Sequence, residues 1–263
     1  MKKQLKTYYW NGKPNFGDAI NIKLIEHLSG REVVFAKARN ADFFAIGSNM
    51  KFAIRRAAYE EPLAVWTTGM IEPVEFTFPD HVHVAAVRGP KTAAMLGLEG
   101  KVAYGDAGLL CDEIVPGNTP KKYGLGIVPH HRHLGQPFVD KILADNPSAK
   151  LVRVDHEDPW ETVREIQSCE AIISSSLHGL IVADCYHIPN FFLAHNARKL
   201  IMPFKFTDYE ASAQRKVPVV KISDIPDLMG NLSDYDHGYF ARIDQLKTLA
   251  HASFPANFLN DLP

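Results

Sequence analysis

Ser174-Ser175-Ser176-Leu177-His178-Gly179 follows the apolar run Ala171-Ile172-Ile173 and precedes the equally apolar Leu180-Ile181-Val182-Ala183. This pattern predicts a buried strand that hands over to a buried helix through a small polar turn. The first N–H groups of a helix lack partners. With the serine hydroxyls and the helix dipole they form a seat for a phosphate or carboxylate. His178 would stand at the rim of that seat. The same residues also fit a plainer role, in which the serines cap the helix and His178 is a satisfied boundary residue.

Other segments repeat the strand-to-helix turn with different chemistry. Asn15-Phe16-Gly17-Asp18 leads into a helical pattern from Ala19 to Leu28. Gly17 permits close backbone approach there, and Asp18 can accept bonds from a sugar hydroxyl, act as a general base, or serve only as the N-cap. Arg88, in Val87-Arg88-Gly89-Pro90, stands at a strand end. A guanidinium so placed can hold a carboxylate or phosphate through two parallel bonds, or form an ordinary surface ion pair. Gly105-Asp106 has the same strand-end character and is equally compatible with a turn.

His130, His131 and His133 cluster after the strand expected at Gly124 to Val128. Their spacing matches no zinc motif and no cysteine or acidic ligand lies close by in sequence, so no metal site is expected. His130 suits anion binding or proton transfer, while His131 and His133 suit a solvated loop. Phe204-Lys205-Phe206-Thr207-Asp208-Tyr209, followed by Arg215, places two cations among aromatics on an expected loop. Such a loop fits sugar-face stacking with hydrogen bonding, or ordinary packing.

The elements that must position these residues alternate. Short β-branched and aromatic runs at Thr7 to Trp10, Glu32 to Ala36, Phe43 to Gly47, Leu63 to Gly69, Val82 to Val87 and Val102 to Tyr104 are separated by helical patterns. After Pro116-Gly117-Asn118-Thr119-Pro120, which reads as a linker, the alternation restarts. Strands are expected at Gly124 to Val128, Leu151 to Val154, Ala171 to Ser175, Asn190 to Leu193 and Val217 to Ile222. Helices are expected at Pro137 to Asp145, Trp160 to Ser168 and Gly179 to Tyr186. The pattern implies an α/β fold of two lobes, residues 1–117 and 118–263, each a parallel sheet covered by helices. Phe240, Ile243, Leu246 and Leu249, behind possible caps Asp234 and Asp236, mark a final helix at about 238–252 that would pack back on the first lobe.

Composition narrows the class of partner. The chain has 263 residues, 46% hydrophobic and 22% charged, enough to bury two cores. A net charge of −1 gives no global field for nucleic acid, so none is expected as a partner and any anion must be held by local cations. Three scattered cysteines and an N-terminus without the apolar run of a signal peptide suggest a reducing, cytoplasmic location. No segment approaches the roughly 20 apolar residues needed to span a bilayer.

Taken in order, Asn15 to Asp18, Val65-Trp66-Thr67-Thr68-Gly69, Val87 to Pro90, Tyr104-Gly105-Asp106, Gly126-Ile127-Val128-Pro129-His130, Ser174 to Asp184 and Phe204 to Arg215 resemble the polysaccharide pyruvyltransferase family, and within it the succinoglycan-type branch of bacterial ketal-forming enzymes. The resemblance implies two facing Rossmann-like lobes of the GT-B kind. It implies phosphoenolpyruvate as donor and a sugar of a polysaccharide, or of its lipid-linked precursor, as acceptor. The product would be a pyruvyl ketal, with phosphate released and no cofactor or obligatory metal. Contact with the inner face of the membrane would be peripheral at most.

On that reading His178 is the acid/base and Asp18 orients or deprotonates the acceptor. Arg88, Lys205, Arg215 and His130 would clamp the donor's anions. Asn15, Gly17, Asp106, Ser174, Ser175, Ser176 and Gly179 would complete the site. Some branches of the family carry Arg before Leu-His-Gly, where this chain has Ser176, so the donor must find that cation elsewhere. Two further classes fit the same residues: a GT-B glycosyltransferase using a nucleotide sugar, and a catalytically silent carbohydrate-binding protein.

Overall fold

A computed structural model describes residues 4–195, 202–225, 228 and 238–261. Strands β1 (Leu5–Tyr8), β2 (Val33–Phe35), β3 (Phe43–Phe44), β4 (Leu63–Val65) and β5 (Val82–Val84) form a parallel sheet in the order β2-β1-β3-β4-β5. A separate pair joins β6 (Ala86–Val87) to β7 (Ala103–Tyr104). A second parallel sheet, ordered β12-β11-β10-β8-β9, holds β8 (Tyr123–Val128), β9 (Lys150–Leu151), β10 (Cys169–Ser174), β11 (Asn190–Ala194) and β12 (Val219–Lys221). The helices are α1 (Phe16–Ser29), α2 (Met50–Arg56), α3 (Pro90–Met95), α4 (Pro137–Asp145), α5 (Pro159–Gln167), α6 (Leu177–Cys185), α7 (Phe204–Ala213), α8 (Phe240–Ala252) and α9 (Ala256–Asn260). This is an α/β fold with two Rossmann-like sheets, of the GT-B-like kind.

Neighbouring residues on each strand feed different cores, as the two-residue period of a pleated strand requires. Phe43 and Ala64 face a central cluster, while Phe44 and Val65 face an outer one. Ile172 and Val128 join the same central cluster, and Ile127 and Ile173 belong to the outer cluster of the second sheet. The central cluster therefore draws from both sheets. Phe16, Ile20 and Leu24 of α1 meet Val163 and Ile166 of α5 and Leu180 and Ile181 of α6 within it. α6 is buried along its whole length, which accounts for a sequence apolar on every side.

Several elements depart from the expected bounds. The run Val82 to Val87 breaks at Ala85, because Ala86 and Val87 leave the first sheet to pair with Ala103 and Tyr104. Helix α1 starts at Phe16, so Gly17 and Asp18 lie inside its first turn, and the extended residue Asn15 takes the N-cap position instead of Asp18. Helix α6 starts at Leu177, two residues before the expected Gly179. Phe204 to Ala213 is helix α7, where a loop was expected. Phe206, Tyr209 and Ala213 are its buried stripe, spaced three and four apart as a helix demands.

In α8, Ile243, Leu246 and Ala250 face inward, while Leu249 is exposed because a strict three-residue spacing drifts around a 3.6-residue helix. The Trp66 indole donates to the Ala250 carbonyl at 3.1 Å, joining α8 to the end of β4. The expected caps Asp234 and Asp236 lie outside the described residues. Among the described residues no helix is long and apolar enough to cross a membrane.

Candidate active site

The carboxyl ends of both sheets face one cleft of about 700 Å³. Ligands on open α/β sheets gather at such strand ends, where chains turn toward helices. Trp10 follows β1, Ser48 and Asn49 follow β3, and Met70 follows β4. Opposite them, His130 follows β8 and Ser175 to His178 follow β10, while Lys205 and Phe206 come from α7, which packs on α3.

His178 occupies the second position of α6, with only 9% of its surface exposed. It is thus part of the floor of the cleft, a correction to the rim position expected from sequence. Its Nε2 is buried, and so is Asp106 Oδ2 behind it, 4.0 Å away. That is too long for a hydrogen bond, but neither atom has another bonded partner. The other Asp106 oxygen accepts from Gly108 N at 2.9 Å, which fixes the carboxylate. With Nε2 turned to Asp106, Nδ1 is the ring atom left to a ligand.

Gly17 lies against that edge of the ring, and a Cβ there would overlap Nδ1. Gly17→Ala should therefore lower kcat/KM about 10²-fold by pushing the imidazole aside. The thermal midpoint should move little, because alanine favours the helix by about 1 kcal/mol relative to glycine. Both quantities are read on one preparation, and unchanged kinetics would remove the glycine's assigned part.

Burial sets the protonation states. It is the largest cause holding the His178 pKa down at about 3, with the Lys205 and Arg88 cations adding to it. His130 is also lowered to about 3, first by burial and then by Lys205 and its neighbouring histidines. Asp18 is raised to about 6 by burial, partly offset by bonds from the Asn15 side chain, the Trp10 backbone and the Asn49 side chain, and by the Lys205 charge. Asp106 is likewise raised to about 6, burial again leading and the Gly108 N–H opposing. At pH 7 His178 and His130 are thus neutral imidazoles, while Asp18 and Asp106 are mostly ionised. Imidazole C–H NMR signals of His178 and His130 should keep their neutral positions from pH 8 down to about 5, where an unperturbed histidine has already passed its pKa of about 6.5. A midpoint near 6.5 for either ring would contradict this.

The structure brings some of the expected residues into contact with the cleft and places others behind it. Asn15, Asp18, His130, Ser175, Ser176, His178 and Lys205 line it, as do His131 and His133. Ser175 Oγ accepts from His130 N at 2.9 Å and lies 2.8 Å from His133 Nδ1, so His133 belongs to the wall and not to a solvated loop. Ser174 is fully buried. Its Oγ bonds Val128 O, Ser176 O and Ser176 N, which shapes the turn and leaves nothing for a ligand. Gly179 is packed on Ser174, where a Cβ would overlap Oγ. None of the three serines caps α6 through its side chain.

Both arginines are corrections to the expected anion clamp. Arg88 is fully buried: Nη1 donates to Ser48 Oγ at 2.9 Å, Nη2 donates to Met70 O at 2.6 Å, and Asp208 lies 3.3 Å away. It braces the cleft wall from behind. Arg215 donates to Asp184 at 2.9 Å and to Asn190 at 2.7 Å, with its guanidinium 4.2 Å from the Tyr239 ring. It locks the far end of α6 and does not reach the cleft.

Sequence reasoning missed Trp10, Ser48, Asn49 and Lys51, all of which line the cleft. The signal was present, since Trp10 ends one run read as a strand and Ser48-Asn49 follow another, the positions that the strand-end rule selects.

Residues 83–197 match the family model described as polysaccharide pyruvyl transferase. That span contains Arg88, Asp106, His130 and the whole β10–α6 turn with His178. The chain is also similar to a succinoglycan biosynthesis protein, ExoV, of Rhizobium meliloti (strain 1021), at 25% identity over 227 residues that cover 82% of this chain and 68% of the relative. A second relative, the uncharacterized protein L143 of Acanthamoeba polyphaga mimivirus, is 25% identical over 221 residues, 79% of this chain and 74% of its own length. With the strand ends and the His178 helix inside the matched span, the chain is similar to polysaccharide pyruvyl transferases over the part that carries the candidate site.

Proposed function

We propose that the protein moves the three-carbon unit of phosphoenolpyruvate onto two hydroxyls of a sugar in a polysaccharide or its lipid-linked precursor, yielding a pyruvyl ketal and free phosphate. The observation that carries this reading is the buried, Asp106-backed imidazole of His178 at the start of α6, beside Ser175 and Ser176 and within reach of the Lys205 field.

The chemistry needs a proton on the methylene carbon of the donor, which leaves an oxocarbenium-like centre at the neighbouring carbon. One sugar hydroxyl adds there and loses its proton. Phosphate departs with its bridging oxygen, and the second hydroxyl closes the ketal. An acid for carbon and a base for oxygen are required.

His178 is neutral at pH 7 because burial and two cations oppose its charge. A donor carrying phosphate and carboxylate reverses that field, so the ring takes up its proton as the donor binds and then serves as the acid. Asp18, ionised above about pH 6, is the base for the hydroxyl. The donor's anions are met by Lys205, the Ser175–Ser176 turn and the His130 wall. Arg88 and Arg215 act on the site by holding its walls.

The test is phosphate release from phosphoenolpyruvate in the presence of a lipid-linked saccharide, with NMR detection of the ketal methyl group. Both signals are expected. Thermal stabilisation by uridine diphosphate and not by phosphoenolpyruvate, without phosphate release, would overturn the reading.

A further inference from the structure

The two walls of the cleft differ in chemistry. His130, His133 and Arg132 stand on the side of the second sheet, and the Lys205 charge acts on His130 and on Asp18 alike. On the side of the first sheet, Asp18, Asn15 and Asn49 line the cleft with Trp10, whose backbone N–H donates to the Asp18 carboxylate, and the Lys51 cation of that side is matched by Glu72. An anionic donor is repelled by Asp18 and attracted to the opposite wall. A ligand suited to the Trp10 side is neutral, offers hydroxyls to Asp18, Asn15 and Asn49, and carries an apolar face for the ring.

Trp10 is unusual among the tryptophans of the chain. Of the three, Trp66 and Trp160 are buried, while Trp10 remains 43% exposed at the mouth of the cleft. Its indole rests on Gly12, where a Cβ would come within 2.6 Å of the ring. The ring is therefore seated from one side by a residue with no side chain and stays open elsewhere. An exposed indole bears a cost in water, which a stacked ligand removes.

The geometry points to a pyranoside-binding acceptor subsite in which the C–H face of a sugar stacks on Trp10 and one of its hydroxyls is handed to Asp18. The subsite rests on the pyruvyl-transfer reading only for the identity of its occupant as acceptor, since stacking needs neither donor nor chemistry.

Because Trp66 and Trp160 are buried, iodide quenching of the full chain reports Trp10, and Trp10→Phe should abolish the quenchable fraction while keeping a ring on Gly12. Methyl pyranosides of gluco, galacto and manno configuration are the probes. At least one is expected to shield Trp10 from iodide, and Trp10→Ala should weaken its binding, read by saturation-transfer NMR, about tenfold. The subsite is overturned if none of the three shields Trp10, or if Trp10→Ala binds the shielding sugar as well as the parent chain does. It is also overturned if phosphatidylglycerol vesicles shield the ring and the sugars do not. That result would assign the wall, with its exposed neighbours Ile71 and Val74, to a lipid surface. Shielding by a sugar with no phosphate release from phosphoenolpyruvate would sink the function and leave the subsite standing.

Discussion

His178→Gln lowers kcat for phosphate release by about 10²-fold or more, with the fold retained, because a positioned proton-transfer group contributes about 10²–10⁴-fold. Glutamine can donate and accept hydrogen bonds but cannot carry a proton between carbon and solvent, so the substitution separates polarity from proton transfer. Asp106→Asn tests the other half of the pair. Its side chain lies 4.0 Å from His178, behind the cleft lining, so the substitution should reduce kcat less than His178→Gln and leave the donor KM nearly unchanged. A folded His178→Gln variant with near-normal turnover would remove His178 from the chemistry and leave Asp18 as the remaining buried cleft residue of suitable type. Steady-state phosphate release at saturating donor, with circular dichroism on the same sample, decides between these outcomes.

Asp208→Ala should cost about 3–5 kcal/mol of stability, the range seen when one member of a buried ion pair is removed. Asp208 and Arg88 are both fully buried, 3.3 Å apart, so the guanidinium would be left without its counter-charge. Asp208 also accepts from Thr92 N at 3.0 Å and Thr92 Oγ1 at 2.6 Å. It thereby caps α3 from another helix, in place of an N-cap that Gly89 cannot supply. The paired change Arg88→Met with Asp208→Leu should cost much less, since apolar replacement of a whole buried pair is often neutral. Urea unfolding of the two variants is the comparison, and equal losses would show that the capping bonds outweigh the charge pair. Activity should fall along with stability in Asp208→Ala, because α7 also carries Lys205 into the cleft.

What could be read from sequence was local. The β10–α6 turn was legible because its apolar runs, polar turn and switch of period lie within 17 residues of chain, and α4 was bounded as observed because Pro137 marks its first turn. What failed was pairing at a distance. Nothing near Arg88 in sequence announces Asp208, so a buried ion pair looked like a donor clamp. Arg215 was misassigned for the same reason, since Asp184, Asn190 and Tyr239 come from three other segments. The α7 helix was hidden by its aromatics, which suggested a binding loop until Phe206, Tyr209 and Ala213 are seen as one stripe. His178 was recognised, but its burial, and hence its neutral state, depends on Gly17 and Asp106 brought in from elsewhere in the chain.

The central cluster shared by both sheets has a mechanical meaning. Two-lobed enzymes often admit substrate by swinging one lobe away from the other about a hinge. Here Leu24 and Ile181 belong to one interior, Arg88 and Asp208 bridge the halves as a fully buried pair, and Trp66 is tied to Ala250. A swing would tear apolar surface open at a cost of about 25 cal/mol per Å² and strand a buried charge pair. Access to the cleft is therefore left to motions of loops and side chains, and the two halves should melt in one calorimetric transition as a single cooperative unit.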